Sequence, residues 1–271
     1  MATLSLPDGT ELFYNDWGAG RPVVLIHGWP LDSGMWSEHA WRLGEAGYRV
    51  ITYDRRGFGR SSQPWSGYEY DTLAADLHAL IEALDLRDAV LVGFSMGGGE
   101  VARTIARHGT GRVARAVLVS SVTPYLLQTP ENPAGVPQSV FDEMTAGLQA
   151  DRPHFLADFG KKLFGQGLIE RPVSAETLQW CAQMALRGSL RATLACAKAF
   201  ATTDFRRDMA AMTCPTLVIH GTGDKTVPIG SSAEPAMKLL PDARLLRYEG
   251  EPHGLHVTAA RRLSEDLLAF I

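Results

Sequence analysis

Ala89-Val90-Leu91-Val92-Gly93-Phe94-Ser95-Met96-Gly97-Gly98-Gly99 is the stretch from which the rest of the chain can be read. Four apolar residues run straight into a G-x-S-x-G pentapeptide, and an apolar helical pattern follows from Gly97 to His108. A strand that turns sharply into a helix holds the central serine in a strained backbone conformation, with small residues two before and two after letting strand and helix approach closely. The turn pushes the Ser95 hydroxyl into the open. It also sets the Met96 N–H at a helix N-terminus, where developing negative charge is stabilised.

Outward from this turn the chain alternates. Short apolar runs at Val23–Ile26, Arg49–Tyr53, Ala89–Val92, Ala116–Val119, Thr216–Ile219 and Ala243–Tyr248 read as strands, and Glu11–Asp16 as an alternating, antiparallel opening strand after the Pro7-Asp8-Gly9 turn. Continuous β-branched runs mark strands buried on both faces, as in a parallel sheet. Helical patterns at 35–46, 70–84, 97–108 and 260–270 lie between or after them. The fold class is therefore α/β with a mainly parallel sheet. From about Val122 to Arg206 the alternation stops. A proline-rich piece leads into four helix-like stretches at 139–150, 153–164, 175–185 and 190–200. We read residues 1–121 and 207–271 as one core and residues 122–206 as an inserted helical cap over the carboxyl end of the sheet, where ligands bind in such folds.

Composition agrees with a single globular enzyme-sized chain. Of 271 residues, 45% are hydrophobic and 21% charged, and the formal net charge of −4 argues against nucleic acid as a partner. No run of 18 apolar residues suggests a membrane span, and the N-terminus shows neither a basic nor a long apolar segment of a signal peptide, so the expectation is a cytoplasmic protein with no membrane partner. Three cysteines, Cys181, Cys196 and Cys214, without C-x-x-C spacing read as apolar fillers rather than a metal or disulfide framework.

A serine hydroxyl needs a base, and the base an orienting carboxylate, in the order Ser, Asp or Glu, His. Asp224, in Gly221-Thr222-Gly223-Asp224, and His253, in Gly250-Glu251-Pro252-His253-Gly254, each follow a late strand. The expected catalytic set is Ser95, Asp224 and His253. Of the other histidines, His27 and His220 end strands and read as hydrogen-bonded supports, while His39, His78, His108 and His154 read as surface or capping residues. His256 and His253 lack a third ligand for a metal, and none is expected. The tetrahedral intermediate needs a second N–H beside Met96. In His27-Gly28-Trp29-Pro30 the proline has none, which leaves Trp29. The Asp54-Arg55-Arg56-Gly57-Phe58-Gly59-Arg60-Ser61-Ser62 stretch is not a dinucleotide-binding loop; it reads as a turn in which Asp54 pairs with an arginine.

Taken together, His27–Pro30, Tyr53–Ser61, Leu91–Gly99, Asp71–Leu77 and Glu251–Gly254 make the chain resemble the α/β-hydrolase superfamily, and within it the bacterial arylesterases grouped with cofactor-free haloperoxidases, or perhydrolases. The resemblance implies an α/β-hydrolase fold with an eight-stranded sheet, no cofactor, and an acyl-enzyme mechanism on Ser95, Asp224 and His253 with Trp29 and Met96 as oxyanion donors. It implies hydrolysis of small aryl and alkyl esters and often lactones, with peracid formation from a carboxylic acid and hydrogen peroxide. Pro30 after the oxyanion tryptophan resembles the perhydrolase type, in which the Trp29 carbonyl accepts a hydrogen bond from peroxide. Lactamase, amidase and carbon–carbon hydrolase activity share this machinery, and a non-enzymatic small-molecule receptor on the same fold stays open. A dehalogenase or epoxide hydrolase would need a carboxylate at position 95. Relatives are often oligomeric, so a homo-oligomer is an expectation by analogy. Substrate-lining candidates are Trp29, Phe94, Val122, Phe141, Phe159, Phe164, Val227 and Leu255, each of which would equally suit an ordinary core.

Overall fold

The computed structural model describes residues 2–167, 169–170 and 172–271. Eight strands, β1 (Ala2–Ser5), β2 (Glu11–Trp17), β3 (Pro22–Ile26), β4 (Arg49–Tyr53), β5 (Ala89–Phe94), β6 (Val113–Val119), β7 (Thr216–Gly221) and β8 (Ala243–Tyr248), form one sheet in the order β1-β2-β4-β3-β5-β6-β7-β8. β1 pairs antiparallel with β2 and β2 with β4; every other pairing is parallel. Every residue of β3, β5 and β7 is buried, as continuous apolar runs require.

The helices are α1 (Ser37–Glu45), α2 (Tyr70–Ala83), α3 (Met96–His108), α4 (Gln138–Ala150), α5 (Arg152–Leu163), α6 (Ala175–Arg187), α7 (Leu190–Thr202), α8 (Arg206–Ala210), α9 (Ala233–Ala236), α10 (Leu255–Thr258) and α11 (Ala260–Phe270). The period-2 alternation of the strands sorts the core into two faces. Val24, Ile26, Ile51 and Leu91 pack with Leu73, Leu77 and Ile81 of α2 and Val101 and Ile105 of α3. Val23, Leu25, Val90 and Val92 pack instead with Leu43 of α1 and Leu263 and Leu267 of α11.

Helices α4 to α7 lie in the segment between β6 and β7. Local sequence starts most of them. The side chains of Asp151, Ser174 and Ser189 accept hydrogen bonds from the amides of His154, Thr177 and Ala192, satisfying first-turn donors of α5, α6 and α7. Among the bonds that tie the segment to the sheet loops are Arg187 to Asp32 at 2.9 and 2.5 Å, Ser189 N–H to Gly57 O at 2.9 Å, and Gly254 N–H to Leu163 O at 2.7 Å. No helix among the described residues is long and apolar enough to cross a membrane.

The β5–α3 junction leaves no room for a side chain. A Cβ on Gly93 would sit 2.5 Å from Gly97 C and 2.7 Å from Gly98 N, both backbone atoms. One on Gly97 would sit 2.7 Å from Ile26 O. Backbone cannot step aside as a side chain can. Gly93→Ala is expected to cost about 1–3 kcal/mol or more of stability, read as a lower urea midpoint at unchanged m-value; a midpoint equal to that of the parent would refute the close approach.

Candidate active site

Ser95 joins β5 to α3 with φ +53° and ψ −116°, a region that few residues other than glycine adopt. The strain is held by the close packing of Gly93 and Gly97 and by hydrogen bonds on both sides: Ser95 N–H to Val119 O at 2.9 Å, and Gly98 N–H to Ser95 O at 3.0 Å. Gly28, in the loop after β3, lies beside the same residue, since its Cβ position would be 3.1 Å from Ser95 Cβ.

His253 and Asp224 arrive from the loops after β8 and β7. Ser95 Oγ lies 2.9 Å from His253 Nε2, and His253 Nδ1 lies 2.6 Å from Asp224 Oδ2. All three are buried. Because a carboxylate only accepts, Nδ1 carries the ring hydrogen, and Nε2 is left as acceptor for the serine hydroxyl. Asp224 Oδ1 accepts from the amides of Thr226 at 2.9 Å and Val227 at 2.8 Å. Burial works to raise the Asp224 carboxyl, but the adjacent His253 and His220 outweigh it and hold the group well below the usual carboxylate range.

Among the described residues, neither the Trp29 nor the Met96 N–H has a hydrogen-bond partner. Both are thus available to an oxyanion at Ser95. Buried groups fix the loop that carries Trp29. Arg55 donates from its amide to His27 Nε2 at 3.0 Å and from Nη2 to His27 O at 2.7 Å, and His27 Nδ1 lies 3.0 Å from Gly28 O. Arg55 Nε is 2.6 Å from Glu100 Oε2, and Tyr53 donates to the other carboxylate oxygen. Asp54 pairs with Arg60 at 2.9 Å, as its motif suggests, but the fully buried arginine is Arg55, whose role the sequence reading missed. The Trp29 indole donates to Thr193 O of α7 at 3.0 Å and packs edge-on against Phe159 and Phe200, which couples the loop after β3 to the helical segment.

A cavity of about 720 Å³ opens over Ser95 and His253. Of the substrate-lining candidates, Trp29, Val122, Phe141, Phe159 and Val227 line it. Phe94, Phe164 and Leu255 do not. They pack with Trp36, Met184 and Leu263 in the cluster on the other face of the sheet. Phe94 follows Val90 and Val92 at the strand period, so its ring points away from the cavity although its neighbour is Ser95. The lining also includes Leu126, Met144, Phe155 and Phe200, which were not anticipated. For Phe155 the four-residue spacing to Phe159 on α5 was the available signal. His39, expected at the surface, is buried and bonded to Ser264 Oγ at 2.9 Å and His256 O at 2.8 Å. The three cysteines are free and buried. Among the described residues, no group of three His, Cys, Asp or Glu side chains could hold a metal ion.

The alpha/beta hydrolase fold family description matches residues 21–260. A non-heme haloperoxidase of Rhodococcus erythropolis is 44% identical over all of this chain and 99% of its own length. A bifunctional esterase/perhydrolase of Acinetobacter calcoaceticus is 38% identical over all of this chain and 99% of its own. Among solved structures, a bromoperoxidase from Bacillus anthracis superposes with a TM-score of 0.94 at 46% identity, covering 96% of this chain and 95% of the other.

His27, His39 and His256 are buried around this site, and burial depresses all three. Burial, and then the Arg55 charge, bring His27 down to about 3. Burial also lowers His39, and lowers His256 further, whose two ring nitrogens have no partner among the described residues. Their unfolded values lie near 6.5, so folded stability is complete above that pH and declines as the pH falls toward the depressed folded values. Each contributes a slope of about 1.4 kcal/mol per pH unit once the unfolded chain is protonated and the folded one is not. Urea midpoints are expected to fall steadily from pH 7 to pH 5, and His256→Phe to flatten that slope by about one proton. An unchanged slope in the variant would show that His256 takes up its proton in the folded state.

Proposed function

The chain belongs to the alpha/beta hydrolase fold family, and from that premise we propose that it is a serine hydrolase that cleaves small aryl and alkyl esters through an acyl-enzyme and transfers the acyl group to hydrogen peroxide as well as to water. The observation that carries this reading is the continuous hydrogen-bonded line Ser95 Oγ–His253–Asp224, at 2.9 and 2.6 Å, under an apolar cavity.

Each residue then has a role. His253 Nε2 accepts the Ser95 proton as Oγ attacks the acyl carbon, while Asp224 holds the tautomer and offsets the imidazolium charge. The amides of Trp29 and Met96 stabilise the oxyanion; loss of one such donor costs about 2.7–4 kcal/mol of barrier stabilisation. His253 returns the proton to the leaving alkoxide or phenoxide. Water or hydrogen peroxide then attacks the acyl carbon, His253 takes its proton, and Ser95 leaves with that proton, releasing a carboxylic acid or a peracid. Side chains and backbone amides suffice, so no cofactor is invoked. Residues 122–206 serve as a cap that supplies the apolar wall around the acyl and alcohol groups. The names of the Rhodococcus and Acinetobacter relatives support peroxide as an acceptor, and Pro30 supports it in this chain.

Mixing enzyme with p-nitrophenyl acetate is expected to give a burst of one nitrophenolate per active site, the mark of an acyl-enzyme. Ser95→Ala is expected to abolish the burst and lower turnover by at least about 10³-fold with the fold intact. Normal cleavage by that variant would remove Ser95 from the reaction. In an assay with acetate and hydrogen peroxide, Pro30→Leu is expected to lower the ratio of peracid formation to ester hydrolysis. An unchanged ratio would take away the role given to the Trp29 carbonyl.

A further inference from the structure

His220 sits in β7, four residues before Asp224, and its side chain is fully buried. Its Nδ1 has no hydrogen-bond partner among the described residues. All the polar contact the ring makes is at one place. Nε2 lies 2.8 Å from Val227 O, and Asp224 Oδ2 lies 3.2 Å from the same nitrogen. Both neighbours are acceptors, so Nε2 carries the hydrogen and Nδ1 is the bare nitrogen.

That single N–H closes a ring of contacts. Val227 donates its amide to Asp224 Oδ1 at 2.8 Å and accepts His220 Nε2–H at its carbonyl. Asp224 Oδ2, the oxygen that takes His253 Nδ1–H at 2.6 Å, faces the positive end of the same His220 N–H. A buried, bare ring nitrogen costs free energy that a leucine or phenylalanine of similar bulk would avoid. Packing alone therefore gives no reason for a histidine here; the Nε2–H does. Without it, Val227 O would be buried and unpaired, and the turn that presents the carboxylate to His253 would lose that anchor.

Building on the assignment of Ser95, His253 and Asp224 as the reacting set, we propose that His220 is a positioning residue for the triad carboxylate: its Nε2–H pins the 224–227 turn through Val227 O and fixes the Oδ2 oxygen that orients His253. It touches neither substrate nor the reacting atoms, and its action passes through Asp224.

The test uses the full chain and three variants. His220→Gln places an amide N–H near the position of Nε2. His220→Asn falls short of it, and His220→Phe keeps the ring shape without a donor. Two readouts are followed: kcat and KM for p-nitrophenyl acetate, and the downfield proton resonance of His253 Nδ1–H. Far-UV circular dichroism and melting report folding. His220→Phe is expected to lower kcat about 10- to 100-fold with KM within about twofold, since small misplacements of catalytic groups carry penalties of that order. Its downfield resonance should shift or broaden. His220→Gln should recover kcat to within about threefold of the parent and restore the resonance. Should His220→Phe not fold, His220→Gln is expected to exceed His220→Asn in both readouts. A folded His220→Phe with parental kcat and an unmoved resonance would overturn the proposal, as would a Gln variant no better than Phe or Asn. The resonance is read without turnover. A parent protein that cleaves no ester would therefore count against the esterase reading, while the resonance still decides the part played by His220.

Discussion

Everything in the site depends on one strained residue. Ser95 holds φ at +53° because the backbone on either side leaves it no alternative: Gly93 and Gly97 meet at backbone contact, and the Ser95 N–H is bonded to β6 while its carbonyl is bonded into α3. Strain of this kind costs on the order of 1–3 kcal/mol and survives only where its surroundings over-determine it. The central parallel strands supply that rigidity. What the strain gives in return is placement. The hydroxyl stands clear of the sheet with a free helix-terminal amide beside it, and the loops after β3, β7 and β8 converge on it from the same sheet edge.

A second constraint is electrostatic and lies below the first. Arg55 is fully buried, with Glu100 and His27 as its partners, and Tyr53 donates to Glu100. Removing one member of such a buried pair leaves an uncompensated charge, at about 3–5 kcal/mol. The arrangement is therefore rigid, and it grips both His27 O and the His27 ring directly under the loop that offers the Trp29 amide. Asp224 is treated alike on the other side of the site: four donors or near-donors surround its two oxygens, and the group stays charged although it is buried. The side chains proposed to carry the reaction are thus set in place before any substrate arrives.

How much of this could be read in the sequence follows from what each signal measures. The parallel strands were legible because burial on both faces demands continuous apolar runs, and the elbow because strand, G-x-S-x-G and helix occur in that order. β1 was not located: four residues of alternating exposure at an edge leave too short a pattern. Asp224 and His253 were legible because strand ends in such sheets all open at one edge. The cavity wall was only partly legible. Phe94 and Leu255 stand close in sequence to Ser95 and His253, but nearness along the chain does not say which face a side chain takes. The strand period already placed Phe94 with Val90 and Val92, and that information outweighs adjacency. Phe200 and Leu126 depend on how the inserted helices dock, which no local periodicity encodes. The Arg55–Glu100 pair joins residues 45 apart and was invisible for the same reason.

The inserted helices are more than a cover. Trp29 belongs to the sheet loops by sequence, yet its indole is bonded to α7 and enclosed by Phe159 of α5 and Phe200 of α7. The residue whose amide is proposed as an oxyanion donor is therefore oriented by the same segment that walls the cavity. The ties from Arg187 to Asp32 and from Ser189 to Gly57 fix that segment to loops after β3 and β4 rather than leaving it hinged. A pocket built this way is largely pre-formed, so binding an apolar acyl group need not pay for ordering its walls. It also means that cavity shape and the placement of the loop after β3 are coupled through the Trp29 side chain. A change in α5 or α7 that alters which acyl groups fit will also move the Trp29 amide, and selectivity and rate in this chain will not vary independently.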